Sequence, residues 1–226
     1  IQLGENPERV FKVGGLGVDV IKKTKLLSKK DLMKKAGINF GNKNLLITYH
    51  PVTLENNNSQ KDFQSLLDVL DDLEDIYLIF TMPNADSDSR VIKKMIEGFI
   101  KQNQKNSISF TSMGSLNYLS TLQYVDGVIG NSSSGIAEAP TFKIGTINIG
   151  DRQKGRFFHQ SIVSTKCREK NIKTSINKVV SKKFQKKILK MKLYFGKGDA
   201  SDKILKFILN NIKNQDKLIN KKFNFK

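Results

Sequence analysis

The sequence has little of several residue types, and each shortage excludes a class of protein. Its one cysteine, Cys167, cannot form a disulfide within the chain or build a cysteine-based zinc site. With 16 glycines and four prolines, it is neither collagen-like nor of low complexity. No apolar run approaches the roughly 18 residues of a membrane span. The start, IQLGENPERV, lacks the basic region and apolar core of a signal peptide. We therefore expect a cytoplasmic protein without a membrane partner, and, since it begins at Ile1, part of a longer one.

What the sequence has in excess is positive charge, with 39 Lys and Arg against 21 Asp and Glu and a net charge of +18. Seventeen of the lysines lie in residues 170–226, mixed with Asn and Ile. This pattern is typical of a solvated helical face, although a polyanion partner stays open. Because there is no zinc finger, RNP-like aromatic strand or arginine cluster, we do not expect nucleic acid to be the partner.

Apolar runs of strand length alternate with segments of helical periodicity along most of the chain. The predicted strands are residues 9–13, 44–49, 76–81, 107–111, 126–130, 145–149 and 161–165. The predicted helices are residues 18–25, 29–36 with Ser28 as N-cap, 59–73, 87–101, 115–123, 133–142, 174–181 and 201–212. This alternation predicts an α/β domain with a Rossmann-like, doubly wound parallel sheet. In such sheets ligands bind beyond the carboxyl ends of the strands.

The loop GNSSSGIAEAP, residues 130–140, follows a predicted strand and opens a predicted helix. Its small residues let the backbone approach a phosphate, and a helix start favours an anion. Ser132, Ser133 and Ser134 add hydroxyl groups, and Glu138 is a suitable acceptor for a ribose diol. A capped helix start explains the same residues equally well. The loop is not a Walker A motif, because no Lys follows its last Gly.

The segment INIGDRQKGR, residues 147–156, follows the next predicted strand. Arg152, Lys154 and Arg156 favour a phosphate clamp, since a guanidinium group binds phosphate oxygens in a bidentate way. A surface turn with solvated charges is the alternative. Two adjacent strand ends with anion-binding loops favour the functional interpretation.

Two further strand ends carry candidate residues. In TYHPVT, residues 48–53, His50 leaves an apolar strand, where an imidazole acts as acid, base or phosphate ligand unless it is only structural. In MPNADSDSR, residues 82–90, Asp86 and Asp88 favour a turn and capping role over metal binding. His159 is predicted to lie in a peripheral loop. Cys167 is not expected to be a nucleophile, because no base lies near it in the sequence.

Taken together, these loops resemble the UDP-N-acetylglucosamine 2-epimerase family. TYHPVT, MPNADSDS, GNSSSGIAEAP, INIGDRQKGR and YFGKGDAS occur in the family's order and at similar spacings. The opening GENPERVFKVGGLGVD is similar to the family's interdomain crossing. The resemblance is strongest to the hydrolysing branch of sialic-acid and legionaminic-acid biosynthesis, since the non-hydrolysing branch has a loop closer to DSGGIQEEAP.

The resemblance implies the C-terminal half of a GT-B type two-domain fold. Residues 1–41 would form the interdomain crossing and leading helices, 42–212 the Rossmann-like nucleotide-binding domain with a C-terminal helix, and 213–226 a basic tail. Ser132 and Ser133 would contact the diphosphate, Glu138 the ribose and Arg152 the phosphates, with His50 at the catalytic site. Ser134, Gly135 and Arg156 are further candidates for substrate binding. The catalytic carboxylates would lie in an N-terminal domain. No metal or other cofactor is implied, and the full-length protein would be a homodimer or homotetramer.

The implied reaction converts UDP-N-acetylglucosamine and water into N-acetylmannosamine and UDP through a glycal intermediate. Several alternatives stay open. These are a non-hydrolysing epimerase, a hydrolysing epimerase on UDP- or GDP-linked diacetylbacillosamine, a GT-B glycosyltransferase, and a nucleotide-sugar-binding or polyanion-binding module without catalysis. The pair of motifs that begin at Gly130 and Gly150 favours the hydrolysing epimerase.

Overall fold

The computed structural model describes residues 3–52, 58–84 and 89–212. The strands are β1 (Lys43–Thr48), β2 (Ile76–Thr81), β3 (Ser107–Phe110), β4 (Gly127–Gly130), β5 (Gly145–Ile149) and β6 (Ile162–Thr165). The helices are α1 (Leu16–Lys23), α2 (Lys29–Ala36), α3 (Asn58–Asp71), α4 (Ser89–Gln102), α5 (Gly114–Thr121), α6 (Ser134–Ala137), α7 (Glu169–Val179), α8 (Lys182–Leu189) and α9 (Ala200–Asn211). Two short 3-10 helices are Pro7–Arg9 and Ala139–Phe142.

The six strands form one parallel sheet in the order β3-β2-β1-β4-β5-β6. The chain begins in the middle with β1, moves outward through β2 and β3, and returns to the other side of β1 for β4. This is the strand order of a Rossmann fold. The predicted α/β class with a doubly wound parallel sheet is therefore confirmed.

The central strands are buried on both faces of the sheet. Leu45, Leu46 and Ile47 follow one another in β1, and each is 0% exposed. Because successive side chains of a strand point to opposite faces, helices must cover both sides. The near-continuous apolar runs in the sequence have this cause.

Local sequence signals set the ends of several helices. The Ser28 hydroxyl accepts a hydrogen bond from the backbone N–H of Asp31 at 3.1 Å, which confirms the predicted N-cap of α2. Gly37 ends that helix with φ +68°, a left-handed conformation that favours glycine. Among the described residues, no helix is long and apolar enough to cross a bilayer.

The chain divides into two compact units. The larger, Lys25–Lys192, holds the sheet and helices α2 to α8. The smaller, Ile1–Thr24 together with Leu193–Lys226, holds α1 and α9. The expected boundaries at residues 42 and 213 stay predictions, and the expected basic tail, residues 213–226, lies outside the described residues.

Asp19 joins the two helices of the smaller unit. Its buried carboxylate accepts hydrogen bonds from the backbone N–H groups of Ala200 and Ser201, each at 3.0 Å, and from the Ser201 hydroxyl at 2.7 Å. The hydrogen bonds from Ser201 hold the pKa of Asp19 below its usual value. The side chain thus satisfies the N–H groups that begin α9, which are otherwise without partners in a helix.

Two local predictions were wrong, and one helix was not predicted. The predicted strand at residues 9–13 is absent: a 3-10 helix begins at Pro7, where Asn6 accepts from the N–H of Glu8. The predicted helix 133–142 is only the single turn α6 and then a 3-10 helix, since Pro140 has no N–H to continue the ladder. Helix α8 was missed, although Ser181 caps it through the N–H of Phe184.

Candidate functional site

The topology places two loops side by side at the centre of the sheet. β1 and β4 are neighbours, but the chain leaves β1 toward β2 and leaves β4 toward β5. Ligands bind at such a switch point in doubly wound folds. His50 is the second residue after β1 and Asn131 the first after β4, and both residues are buried.

Asn131 connects the two loops through its side chain. The Asn131 Oδ1 accepts from the backbone N–H of His50 at 2.7 Å, and its Nδ2 donates to the His50 carbonyl at 2.7 Å. Asn131 is 1% exposed, so these bonds are shielded from water. The backbone of His50 is thereby fixed from the neighbouring strand.

The imidazole of His50 is oriented by the loop after β2. Its Nδ1 accepts a hydrogen bond from the backbone N–H of Asn84 at 3.3 Å. A nitrogen that accepts carries no hydrogen, so the neutral ring has its hydrogen on Nε2. His50 is 7% exposed and lines the cleft described below.

The loop after β5 bonds to the backbone of the same asparagine. Arg152 Nη1 and Gln153 Nε2 both donate to the Asn131 carbonyl, at 2.9 and 2.7 Å. Gln153 is buried, whereas the side chains of Arg152 and Arg156 are exposed. The structure therefore joins Arg152 to the loop after β4, and it places Arg156 at the surface.

The predicted serines of the loop after β4 differ in their surroundings. Ser133 is exposed and precedes α6, and Ser132 accepts from the N–H of Ser134 at 3.4 Å. The Ser134 hydroxyl bonds to Glu138 Oε2 and to the Tyr118 hydroxyl, each at 2.5 Å. Burial raises the pKa of Tyr118 to about 12.

Gly135 packs against the sheet. A Cβ there would lie 2.7 Å from Thr146 Cγ2 of β5, and the Thr146 hydroxyl donates to the Gly135 carbonyl at 2.7 Å. The absence of a side chain lets α6 approach β5 closely. In this structure Gly135 packs against β5 and is not part of the cleft lining.

A cleft of about 410 Å³ lies above the carboxyl ends of β1, β2 and β3, beside α5. Such a volume is typical of small-molecule sites. The cleft brings together four of the predicted site residues, namely His50, Ser132, Ser134 and Glu138. Its lining does not include Ser133, Gly135, Arg152 or Arg156.

Three residues form hydrogen bonds that organise the site but were not identified from the sequence: Tyr118, Asn131 and Gln153. The sequence signal was weak, because tyrosine in an amphipathic helix and amides in a loop are common. His159 lies in a loop before β6, as expected, but it is 5% exposed and therefore buried in that loop. Burial and the nearby Lys143 lower the pKa of His159. Asp86 and Asp88 lie outside the described residues.

No group of three or more His, Cys, Asp or Glu suited to a metal ion occurs within residues 3–52, 58–84 and 89–212.

The single cysteine, Cys167, belongs to the larger unit but is not part of the cleft lining. Cys167 Sγ donates to the Asp62 carbonyl at 3.0 Å, and burial raises the pKa of Cys167 to about 12. A thiol with this pKa is a poor nucleophile at neutral pH.

Comparison with known proteins agrees with the arrangement of fold and loops. The family model described as UDP-N-acetylglucosamine 2-epimerase matches residues 1–209. The hydrolysing GDP/UDP-N,N'-diacetylbacillosamine 2-epimerase of Campylobacter jejuni is 39% identical over 99% of this chain and 57% of its own length. The hydrolysing UDP-N,N'-diacetylbacillosamine 2-epimerase of Legionella pneumophila is 26% identical over 98% of this chain and 56% of its own.

A solved structure has the same fold at low sequence identity. The UDP-GlcNAc 2-epimerase of Methanocaldococcus jannaschii superimposes with a TM-score of 0.67 at 16% identity, over 92% of this chain and 58% of that one. This chain thus spans somewhat more than half the length of the relatives that it matches. With the family model matched over most of its length, the chain belongs to the UDP-N-acetylglucosamine 2-epimerase family.

Proposed function

We propose that this chain binds the UDP part of a nucleotide sugar and takes part in a hydrolysing 2-epimerase reaction that turns UDP-GlcNAc and water into ManNAc and UDP. The observation that carries the proposal is the cleft at the switch point of the sheet. It brings together a buried histidine from the segment after β1 and two serines and a carboxylate from the segment after β4. A nucleotide sugar offers a matching set of groups: a diol, a diphosphate and a reacting sugar carbon.

The proposed binding roles follow from the chemistry of each side chain. Glu138 would accept hydrogen bonds from the ribose diol, because a carboxylate is an acceptor only. The hydroxyl groups of Ser132 and Ser133 would donate to the diphosphate. Arg152 would approach the same phosphates, since the Asn131 carbonyl takes only one of its nitrogens as a donor and the guanidinium has five N–H groups.

The proposed reaction has two steps. In the first, the C1–O bond breaks and UDP leaves with its electron pair, while C2 loses a proton and a C1–C2 double bond forms. In the second, water adds its hydroxyl group to C1 and a proton returns to C2 on the opposite face. Positive groups near the diphosphate lower the barrier to the first step, because negative charge develops on the leaving group.

The tautomer of His50 limits its role in this scheme. With Nδ1 accepting from Asn84, the neutral imidazole offers an N–H at Nε2. We therefore assign to His50 the role of hydrogen-bond donor to the substrate. The base that removes the proton from C2 is proposed to lie outside the described cleft.

A second substrate has a specific observation in its favour. The relatives from Campylobacter and Legionella are both named for UDP-linked diacetylbacillosamine, and the Campylobacter relative is named for the GDP-linked form as well. UDP-linked diacetylbacillosamine is therefore the alternative substrate. Both proposals require the same nucleotide contacts.

The binding part is tested by calorimetric titration of this chain with UDP. We expect binding that weakens more than about tenfold in Glu138→Ala, since hydrogen bonds to charged groups contribute roughly 1.5–3 kcal/mol. Glu97→Ala is the matched control, because Glu97 lies on the exposed side of α4 and pairs with Lys93. Equal UDP affinity in all three proteins would argue against the cleft as the nucleotide site.

The catalytic part is tested on the full-length protein in D₂O, with UDP-GlcNAc and UDP-diacetylbacillosamine in separate reactions. We expect free UDP and a free 2-epimerised sugar that carries deuterium at C2, since the proton is exchanged with solvent. The faster reaction identifies the sugar. A product that is still linked to UDP would contradict the hydrolysing reaction.

A further inference from the structure

Two consecutive hydrogen bonds connect α5 with Glu138, the residue proposed to bind the ribose. The Tyr118 hydroxyl lies 2.5 Å from Ser134 Oγ, and Ser134 Oγ lies 2.5 Å from Glu138 Oε2. All three residues line the cleft. The chain therefore connects the wall of the cleft with one of the two carboxylate oxygens of Glu138.

Counting hydrogens gives the direction of both bonds. A serine hydroxyl has one hydrogen, and Ser134 donates it to Glu138, because a carboxylate accepts. The bond between Tyr118 and Ser134 must then use the phenolic hydrogen. A pKa of about 12 keeps that hydrogen on Tyr118 at neutral pH. Ser134 consequently has no hydrogen left to donate to a phosphate.

We propose that Tyr118 is a positioning residue which, through Ser134, fixes Glu138 so that its Oε1 meets the ribose diol and selects ribonucleotides over deoxyribonucleotides. The inference rests on the proposed function, which puts the ribose beside Glu138. It adds that Ser134 belongs to ribose recognition and not to diphosphate binding. A carboxylate held in one orientation loses less conformational freedom when the ligand binds.

The test is a calorimetric comparison of UDP with 2',3'-dideoxyuridine 5'-diphosphate on this chain. The wild type should bind UDP more tightly than the dideoxy analogue. Tyr118→Phe, which removes one oxygen, should weaken UDP binding by roughly three- to tenfold and leave the analogue's affinity unchanged. Ser134→Ala should behave in the same way, and the double variant should lose little more, since both changes break one chain.

The matched control is Tyr124→Phe. This substitution also removes one phenolic hydroxyl group. That hydroxyl donates to the Leu27 carbonyl, and Tyr124 does not line the cleft. Both affinities should stay at the wild-type values. An equal loss for UDP and for the analogue in Tyr118→Phe would indicate general damage and overturn the inference.

The outcomes for the wild type separate the two proposals. If the wild type binds UDP and the dideoxy analogue equally, nucleotide binding stands, but ribose selection through Glu138 is wrong. If the wild type binds neither ligand, the proposed function itself fails, and the inference fails with it.

Discussion

The carbonyl oxygen of Thr48 lies 1.9 Å from the place that a Cβ on Gly130 would occupy. Gly130 also has φ +135°, a conformation that side chains disfavour. Gly130→Ala must therefore push β4 away from β1 at the floor of the cleft. We expect the free energy of unfolding to fall by more than about 4 kcal/mol, or the chain not to fold. Urea unfolding followed by circular dichroism measures this.

Gly98→Ala is the control for the glycine substitution. Gly98 lies within α4, and apart from its chain neighbours and the helix's own backbone no atom lies within 4 Å of the added Cβ. Alanine there should stabilise the protein by about 0.5–1 kcal/mol, because glycine is costly inside a helix. If Gly130→Ala were tolerated as well as Gly98→Ala, the close approach of the two strands would be wrong.

Asn131→Ala removes both hydrogen bonds to the buried backbone of His50. Each hydrogen bond lost by a buried peptide group costs about 1–3 kcal/mol, so we expect a loss of about 2–6 kcal/mol in the free energy of unfolding. Asn171→Ala changes the same residue type at an exposed position on α7, and it should stay within about 0.5 kcal/mol of the wild type. Equal urea midpoints for the two variants would contradict the role of Asn131.

The bond from Asn84 to His50 predicts one tautomer of the neutral imidazole. Nitrogen-15 NMR of the histidine side chains should show a protonated Nε2 and an unprotonated Nδ1 for His50. The chain has two histidines, so His159→Gln assigns the remaining signals. A proton on Nδ1 in the neutral ring would contradict both the bond and the donor role assigned to His50.

Asp19 predicts a stability that depends on pH in the acidic range. Its folded pKa lies below the unfolded value, so its contribution is full above the unfolded pKa of about 3.9. The contribution is lost as the pH falls through the folded pKa. The difference in Tm between wild type and Asp19→Asn should therefore be largest near pH 6 and shrink toward pH 3.

Asp202→Asn serves as the control for Asp19. Asp202 lies on α9, the helix whose first N–H groups bond to Asp19, its side chain is 74% exposed, and it faces Lys23 at 3.6 Å. Exposed ion pairs contribute little, so this variant should melt close to the wild type at every pH. A gap for Asp19→Asn that stays constant with pH would show that its carboxylate charge is not what holds α9.

The sequence predicted the sheet well because its signals are local. Buried strands such as β1 and β2 read as uninterrupted apolar runs, and Ser28 reads as a cap three residues before its partner. The errors arose where a single residue or an unusual composition outweighed the apolar pattern. Pro140 cut short the helix after Gly130, and α8 is so rich in lysine that its apolar face, Phe184 and Ile188, was overlooked.

The residue types that line the candidate cleft could be predicted from the sequence, but their contacts could not. His50, Ser132 and Glu138 follow strands, so the parallel topology alone brings them to one edge. The bond between Tyr118 and Ser134 joins residues whose order in the chain gives no hint of a meeting. The same holds for Gln153 and Asn131, since buried amide contacts depend on the packing of two loops.

The side chain of Asn131 acts as a substitute peptide unit. It presents one carbonyl and one N–H to His50, as the next residue of a strand would, although β4 has already ended at Gly130. The hydrogen bonding between β1 and β4 thus continues for one more residue pair through a side chain instead of a strand. The backbone after Gly130 is thereby free to leave strand geometry and to turn into α6, while the backbone of His50 keeps its hydrogen bonds.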